Sequence, residues 1–595
     1  MSKLLEPEFL RRFKTLNHKN RKALLLTVGT AALFCPHIAY SEPVLVNGND
    51  KTAWTSDGVS VGGNTTNKLS EVVSNARVPT DLSSSVARLN SAIKTHVTTP
   101  DKTNKQNLEN AITSYNDAVA ALEGSGAAAA GIPSFIVNDT TILIATKNQA
   151  DQRLVVVDSK SLLINIADRA TLVISGNFFN GRGDNPQRDC DSTNTARKGC
   201  GGALHVSSGA AFVQNGAGKL IFRANKSADD GGAVFNKGSI SFGSGVSFLE
   251  NSTSTWGGAV NNFSSGTILF GDDASFIRNA KSGRGGAIRN DGMIVFADNA
   301  FFDQNASADK GGAIYNTESG KITFGDGTTF TKNNNYNRYN RGGAIYNEGK
   351  MTFGKSARFS QNSADSYSGA IYNDRKGQLT FEEGAIFENN VAWNGGAISN
   401  YGTIVVGDNA MFNENVSNSH LGGAIFSNSG TITFGNNATF KGNTAYQGGA
   451  INLNSDGTIQ FGDNATFANN KADYAGAIAT FGTTTFGSGA TFINNESKVS
   501  DTINGVVDNA GTLTLGSGAR FINNKSTGNN VLGGAISNRA TLILKTDANG
   551  QATQFFGNRD STGLSSIFFE QGSLAVVGDG IVDMLDPMQR INNKD

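Results

Sequence analysis

Residues 422–450 read GGAIFSNSGTITFGNNATFKGNTAYQGGA, and the fold is decided by how this stretch is read. It opens with Gly422-Gly423-Ala424-Ile425 and continues through the alternating run Thr431-Ile432-Thr433-Phe434. A turn follows at Gly435-Asn436-Asn437, then Phe-x-x-Asn at Phe440 and Asn443, and Gly448-Gly449-Ala450 starts the pattern again. Apolar side chains at i and i+2, as in Ile432 and Phe434, are the period-two mark of a half-buried strand. The runs are too short for helices, and glycine-rich corners divide them.

The same unit recurs from Gly201 to about Asn558. Openings of the Gly-Gly-Ala-(Ile/Val/Leu) type start at Gly231, Gly257, Gly285, Gly311, Gly342, Gly395, Gly422, Gly448 and Gly533. Worn copies survive at Gly369-Ala370, Gly476-Ala477 and Gly505-Val506, and the Phe-x-x-Asn closings run from Phe248/Asn251 to Phe521/Asn524. The spacing of roughly 26 to 31 residues falls within the range of solenoid repeats. With 72 glycines against 8 prolines, the chain reads as an array of corners and short strands rather than as several globules.

Each unit shows three strand-like runs, so one unit is expected to form one turn of a three-sided parallel β-helix, an all-β solenoid. Successive turns would pair at about 4.8 Å, and only the stack could bury a continuous core. Gly-Gly would supply corner dihedrals that a Cβ disfavours. The phenylalanine of Phe-x-x-Asn would stack on its neighbours inside the coil. Its asparagine, and the series Asn236, Asn262, Asn290, Asn316, Asn347, Asn373, Asn400 and Asn538, would hydrogen-bond from turn to turn.

These doubled motifs resemble those of the chlamydial polymorphic membrane proteins and of enterobacterial autotransporter adhesin passengers, over roughly residues 200–560. The resemblance implies a right-handed parallel β-helix, displayed on the outer membrane by a C-terminal β-barrel and working in adhesion and self-association. It implies as partners a host cell-surface receptor or extracellular matrix, or like molecules on neighbouring cells. The sequence departs from the family at its end. After Ser566-Ile567-Phe568-Phe569 it reaches Met584-Leu585-Asp586-Pro587, and no barrel-length set of alternating strands follows before Asp595. Residues 561–595 therefore read as a truncated last coil with a bare strand edge. Either this is a passenger fragment lacking its translocator barrel, or a non-functional truncated passenger, or the chain leaves the cell by another route.

The N-terminus reads as an export signal over residues 1–41. Lys3, Arg11, Arg12, Lys14, Lys19, Arg21 and Lys22 form a basic region, and the apolar run Ala23–Phe34 is short for a membrane span. Small residues before the junction place cleavage between Ser41 and Glu42. The remainder would carry 43 basic and 48 acidic residues, which gives no basic footprint for nucleic acid. Residues 42–133 read as a helical N-terminal segment or cap followed by an Ala/Gly linker. Val86, Leu89 and Ile93 share one helical face, as do Leu108, Ile112, Tyr115, Val119 and Leu122. Short apolar runs in residues 134–176 read as the first coils.

Candidate functional residues cluster in a polar insertion, 176–200. Arg182-Gly183-Asp184 sets a cation and an anion on a glycine hinge, the spacing integrins read in their ligands, although turn-rich chains acquire such a tripeptide readily by chance. Cys190 and Cys200 fit a local disulfide in an exported chain better than metal ligation, which wants more ligands. A polysaccharide-acting enzyme is the competing class and would need carboxylates gathered across adjacent coils. The candidates Asp272, Asp273, Asp326, Asp408 and Asp463 follow turn glycines, and Asn436 and Ser488 interrupt their column. No catalytic residue, metal ligand or cofactor site is assigned, and the expectation is a protein that binds rather than an enzyme.

Overall fold

A computed structural model describes strands scattered through residues 44–179 and, with short gaps, residues 203–590, all within the compact unit Val44–Asp595. The segment read as a signal, 1–41, and the two helical faces read at Val86–Ile93 and Leu108–Leu122 lie outside the described residues. The first part of segment 42–133, read as helical, instead holds three strands, Val44–Asn47, Thr52–Thr55 and Gly58–Asn64.

The repeat forms a parallel β-solenoid. Take the turn that begins at Gly285. Its first strand is Ile288–Asn290, its second Met293–Phe296 and its third Phe301–Asp303, and a further strand, Ala306–Lys310, returns the chain to Gly311. Each pairs in parallel with its equivalent one repeat later: Ile288 with Ile314, Ile294 with Ile322, Phe302 with Phe330 and Ala306 with Asn334. Among the described residues these make four ladders of 16, 16, 17 and 15 strands, called here the first, second, third and fourth in chain order; the last ends on one antiparallel strand, Gly563–Leu564. The three runs legible in the sequence form the longer ladders. The fourth strand, often only two residues as in Ser363–Ala364, is too short and too polar to show periodicity. The runs noted in residues 134–176 are strands Ser134–Val137, Thr141–Ile144, Val155–Val157, Ser161–Ile166 and Thr171–Ser175, and they continue the first three ladders.

Two phenylalanine columns fill the interior. From Phe222 to Phe555 the third-ladder rings stack nearly parallel to their neighbours; successive rings of Phe359, Phe387 and Phe412 are 4.8 Å apart with interplanar angles of 5° and 4°. The second ladder contributes another column, including Phe324, Phe353 and Phe381, stacked at 4.8 and 4.7 Å. The two columns meet edge to face, with Phe381 against Phe387 at 5.5 Å and 79°. Stacking along one column and edge contact across to the other are the two arrangements that a ring quadrupole favours. The coil rise imposes the first, and the corner between ladders imposes the second.

Phe-x-x-Asn is one bend. The residue before the asparagine takes a left-handed conformation even where it carries a side chain, as at Gln304 (φ 53°), Lys332 (φ 51°) and Glu414 (φ 53°). This turns the asparagine inward. Asn390 donates its Nδ2 to Asn415 Oδ1 (3.0 Å) and to the Phe359 carbonyl of the coil before (2.9 Å). Its own Oδ1 accepts both the backbone N–H and the Nδ2 of Asn362 at 3.0 Å. The column runs unbroken from Asn225 to Asn558 and ends on the buried carboxylate of Asp586, which accepts from Asn558 Nδ2 at 3.0 Å. A second column follows the Gly-Gly-Ala openings from Asn236 to Asn400, resumes at Asn509–Asn538, and lapses where Ser427, Leu453 and Thr480 occupy the place. Left-handed geometry costs a non-glycine residue about 1 kcal/mol or more. Replacing exposed Lys332 by glycine should therefore raise thermal stability slightly, as a scan of melting temperature would register; a loss would mean that the bend is not where it is placed here.

The paired glycines have separate jobs. Gly311 has φ +66°, and a Cβ there would fall 1.9 Å from the Ile314 carbonyl oxygen. At Gly312, a Cβ would fall 1.9 Å from the carbonyl oxygen of Gly343 in the next coil. The first glycine permits the corner dihedral, and the second permits close approach of successive coils.

In the last coil, strand Ser573–Val577 pairs with Thr541–Lys545 on one edge, and all five of its residues are exposed. Leu574 and Val576 continue the register of buried Leu542 and Leu544, yet Val576 is 53% exposed. Among the described residues, no further strand pairs with the other edge of Ser573–Val577.

Candidate binding surface

Strand residues alternate in facing, so every turn presents the middle residue of its first-ladder strand outward. In successive coils these are Arg289, Tyr315, Tyr346, Tyr372, Ser399 and Phe426. The tyrosines are nonetheless buried, because residues just before each Gly-Gly corner fold over them. Lys310 lies 4.1 Å over the Tyr346 ring, Arg341 lies 5.0 Å over Tyr372, and one coil earlier Arg289 lies 4.5 Å over Trp256. Tyr315 donates its hydroxyl to Glu348 (2.8 Å), Lys310 bonds the same carboxylate, and Tyr346 donates to Asp374. Burial pushes the hydroxyls of Tyr315, Tyr346 and Tyr372 far above the ordinary phenol range. Glu348 adds to the rise for Tyr315, and Asp374 does so for Tyr346. Burial also raises the Asp291 carboxyl, against the opposing pull of Arg289 at 2.5 Å. These tyrosines stay neutral at any physiological pH. The belt pairs the Tyr315 and Tyr346 hydroxyls with carboxylates and its cations with rings and carboxylates, and so braces the outer face.

Beyond the belt the corner opens. The residues two places before the Gly-Gly corners become Trp393, His420 and Tyr446, with Tyr474 beside them in the following coil. Trp393 stacks on His420 at 5.8 Å, and Tyr446 meets Tyr474 edge-on at 5.1 Å. Trp393 is 48% exposed and Tyr446 41%. Asn394 Oδ1 accepts from the Leu421 N–H, which fixes the amide, and lies 2.5 Å from His420 Nδ1. An amide oxygen can only accept, so Nδ1 of His420 carries a proton, and in the neutral ring Nε2 is then an acceptor.

A second outward surface lies on the second ladder. Thr403, Thr431, Thr458, Thr483, Thr512 and Thr541 align in one column; Val405, Thr433, Gln460, Thr485, Thr514 and Ile543 align in the next. None of these twelve positions bears a charge. The same ladder earlier carries Lys321 and Lys350 in register, and burial together with Lys321 lowers the Lys350 ammonium.

Of the turn carboxylates singled out in the sequence, Asp272, Asp326, Asp408 and Asp463 brace the backbone. Asp272 Oδ1 accepts the Asp298 N–H (3.1 Å), Asp326 that of Lys355 (2.9 Å), Asp408 that of Asn436 (2.6 Å) and Asp463 that of Ser488 (2.8 Å), and Asp298 extends the series by accepting the Asp326 N–H (2.8 Å). Asn436 interrupts the carboxylates, as read, but continues the bracing, since its own Oδ1 accepts the Asp463 N–H at 2.8 Å. Among the described residues, no group of three or more His, Cys, Asp or Glu comes together as a metal site. Arg182, Gly183, Asp184, Cys190, Cys200, Ser41 and Glu42 lie outside the described residues. Trp393, His420 and Tyr446 were missed in the sequence, although their constant distance from each Gly-Gly was there to be read.

Residues 299–317 match the Chlamydia polymorphic membrane protein repeat. They comprise Phe302 and Asn305 of the third-ladder bend, the returning fourth strand, and Gly311-Gly312-Ala313-Ile314 with Asn316 of the next opening. The repeat is polymorphic membrane protein-like. The matched segment therefore carries both halves of the doubled motif, and the other coils repeat its geometry rung for rung. No curated protein matches the chain.

Proposed function

We propose that the chain is the surface-displayed passenger of an autotransporter-like protein and acts by adhesion, by self-association or by both. The observation that carries this is the polymorphic membrane protein-like repeat at residues 299–317 embedded in one continuous solenoid. Such a scaffold is long and stiff, and it offers many equivalent outward positions. On this reading the coil is right-handed, the sense that parallel crossovers adopt almost without exception, and a β-barrel translocator carries it across the outer membrane. Its partners are a host surface receptor, matrix or like molecules. It binds rather than turns over, a reading supported by turn carboxylates committed to backbone amides. Fusing the chain to an outer-membrane barrel in a non-adherent bacterium should make it protease-accessible on intact cells and cause adherence to host cells or clumping. Display with neither behaviour would refute the proposal. Loop 176–200 is tested separately: if Asp184→Glu leaves host-cell binding unchanged, integrin recognition is excluded.

Self-association has its own supporting observation in the uncharged threonine columns. Two copies share the same coil rise, so hydroxyls on facing columns stay in step, and many weak bonds add by avidity. Introducing Thr431→Arg with Thr483→Arg should cut clumping at least tenfold while moving stability by only about 0.5 kcal/mol, as surface changes do. Settling assays of displaying cells check this, and unchanged clumping would remove the face from consideration.

A further inference from the structure

We propose that the open corner formed by Trp393, His420 and Tyr446 binds a neutral glycan, with the sugar chain running along the solenoid axis. The inference rests on the adhesive reading above and names a site and ligand class for it. Trp393 and Tyr446 are large rings left substantially exposed, two coils apart in one column, which places them about 9.6 Å apart along the axis. In an outer face where Tyr315, Tyr346 and Tyr372 are buried under cations, this exposure stands out.

The surroundings select the ligand. The two corner columns between the rings hold Trp393, Asn394, His420, Leu421, Tyr446 and Gln447, with no formal charge among them. Toward the N-terminus the same columns hold Arg284, Asp309, Lys310 and Arg341, engaged with one another, tyrosine rings and carboxylates. On the other side Asp473 stands next to Tyr446, an anion that disfavours an anionic glycan. A pyranose offers an apolar C–H face to stack on an aromatic ring and a rim of hydroxyls to donate and accept. Trp393 and Tyr446 supply the platforms, amphipathic rings of the kind enriched at recognition sites. His420, held by Asn394 through Nδ1, leaves Nε2 to hydrogen-bond a sugar hydroxyl, which can donate or accept. A protein partner would need about 800 Å² of surface with an apolar centre. Here the fourth-ladder neighbours include exposed Thr444 and Lys471, so two rings in a polar setting fit a slender amphipathic polymer better.

The test uses the full folded chain on an array of neutral and anionic glycans, followed by titration calorimetry with the strongest neutral binder. Binding of a neutral glycan is expected. Trp393→Ala with Tyr446→Ala should weaken it at least tenfold, and His420→Ala should weaken it less, with the circular dichroism of each variant unchanged. Absence of neutral-glycan binding, a preference for anionic glycans, or a double variant that binds as the parent does would overturn the proposal. Cell adhesion separates the two levels. If the parent adheres and the double variant adheres equally, this site is wrong while the adhesive function stands; if the parent does not adhere, the underlying reading fails.

Discussion

Replacing Asn390 by leucine should destabilise the central coils by roughly 3–6 kcal/mol, the cost of stranding buried polar groups. Asn362 would lose the acceptor that serves both its backbone N–H and its Nδ2, and the Phe359 carbonyl would lose a donor. None of these groups reaches water, because the asparagine column is fully buried. Asn390→Asp discriminates further. It keeps an acceptor for Asn362 but sets a carboxylate against Asn415 Oδ1 and the Phe359 carbonyl. Its folded-state pKa must then lie above the unfolded value, so the destabilisation is present at neutral pH and eases as pH falls and the acid becomes a donor. Urea melts at pH 7 and pH 5 test the sign. A solenoid couples each turn mainly to its neighbours, so hydrogen exchange should show the loss concentrated in adjacent coils rather than spread evenly.

Phe387→Ala should cost about 3–5 kcal/mol, as other buried phenylalanine truncations do. The ring stacks on Phe359 and Phe412 and meets Phe381 edge-on, so the cavity is walled by rings that the coil rise holds apart. The coils above and below cannot collapse into it, because their strands are locked in register by Phe359–Phe387 and Phe387–Phe412 pairing. Phe387→Leu should recover roughly half of the loss. Denaturant unfolding with the slope checked for constancy measures both, and a cost near that of a surface substitution would mean that the ring is not in the core.

The repeat was legible because its chemistry is forced. A residue inside a stack meets copies of itself above and below, so the sequence repeats what the core requires: phenylalanine to stack, asparagine to pass hydrogen bonds onward, glycine where a Cβ would strike the next coil. The second phenylalanine column was visible only as alternation in runs such as Ile322/Phe324; that it would meet the first edge to face depends on the corner angle. The fourth ladder was hidden because two residues, as in Val391–Ala392, carry no periodicity. The outer face was harder still. Tyr346 reads as an exposed strand residue, yet it is buried by Lys310, 36 residues away in the preceding coil's corner. Turn carboxylates such as Asp326 read as solvated and instead brace the following coil. Recognition surfaces are not forced to repeat, and so Trp393 and Tyr446 appear in sequence as irregularities in a regular background.

Distances between spin labels along one column test the stacked architecture most directly. Arg358 and Arg520 occupy the same third-ladder position six coils apart, and Ser247 lies four coils before Arg358. With labelled cysteines at these sites, double electron–electron resonance should give about 29 Å for 358 to 520 and about 48 Å for 247 to 520, growing in proportion to the number of coils. Separations that do not scale with coil number would contradict the solenoid and the surface role drawn from it.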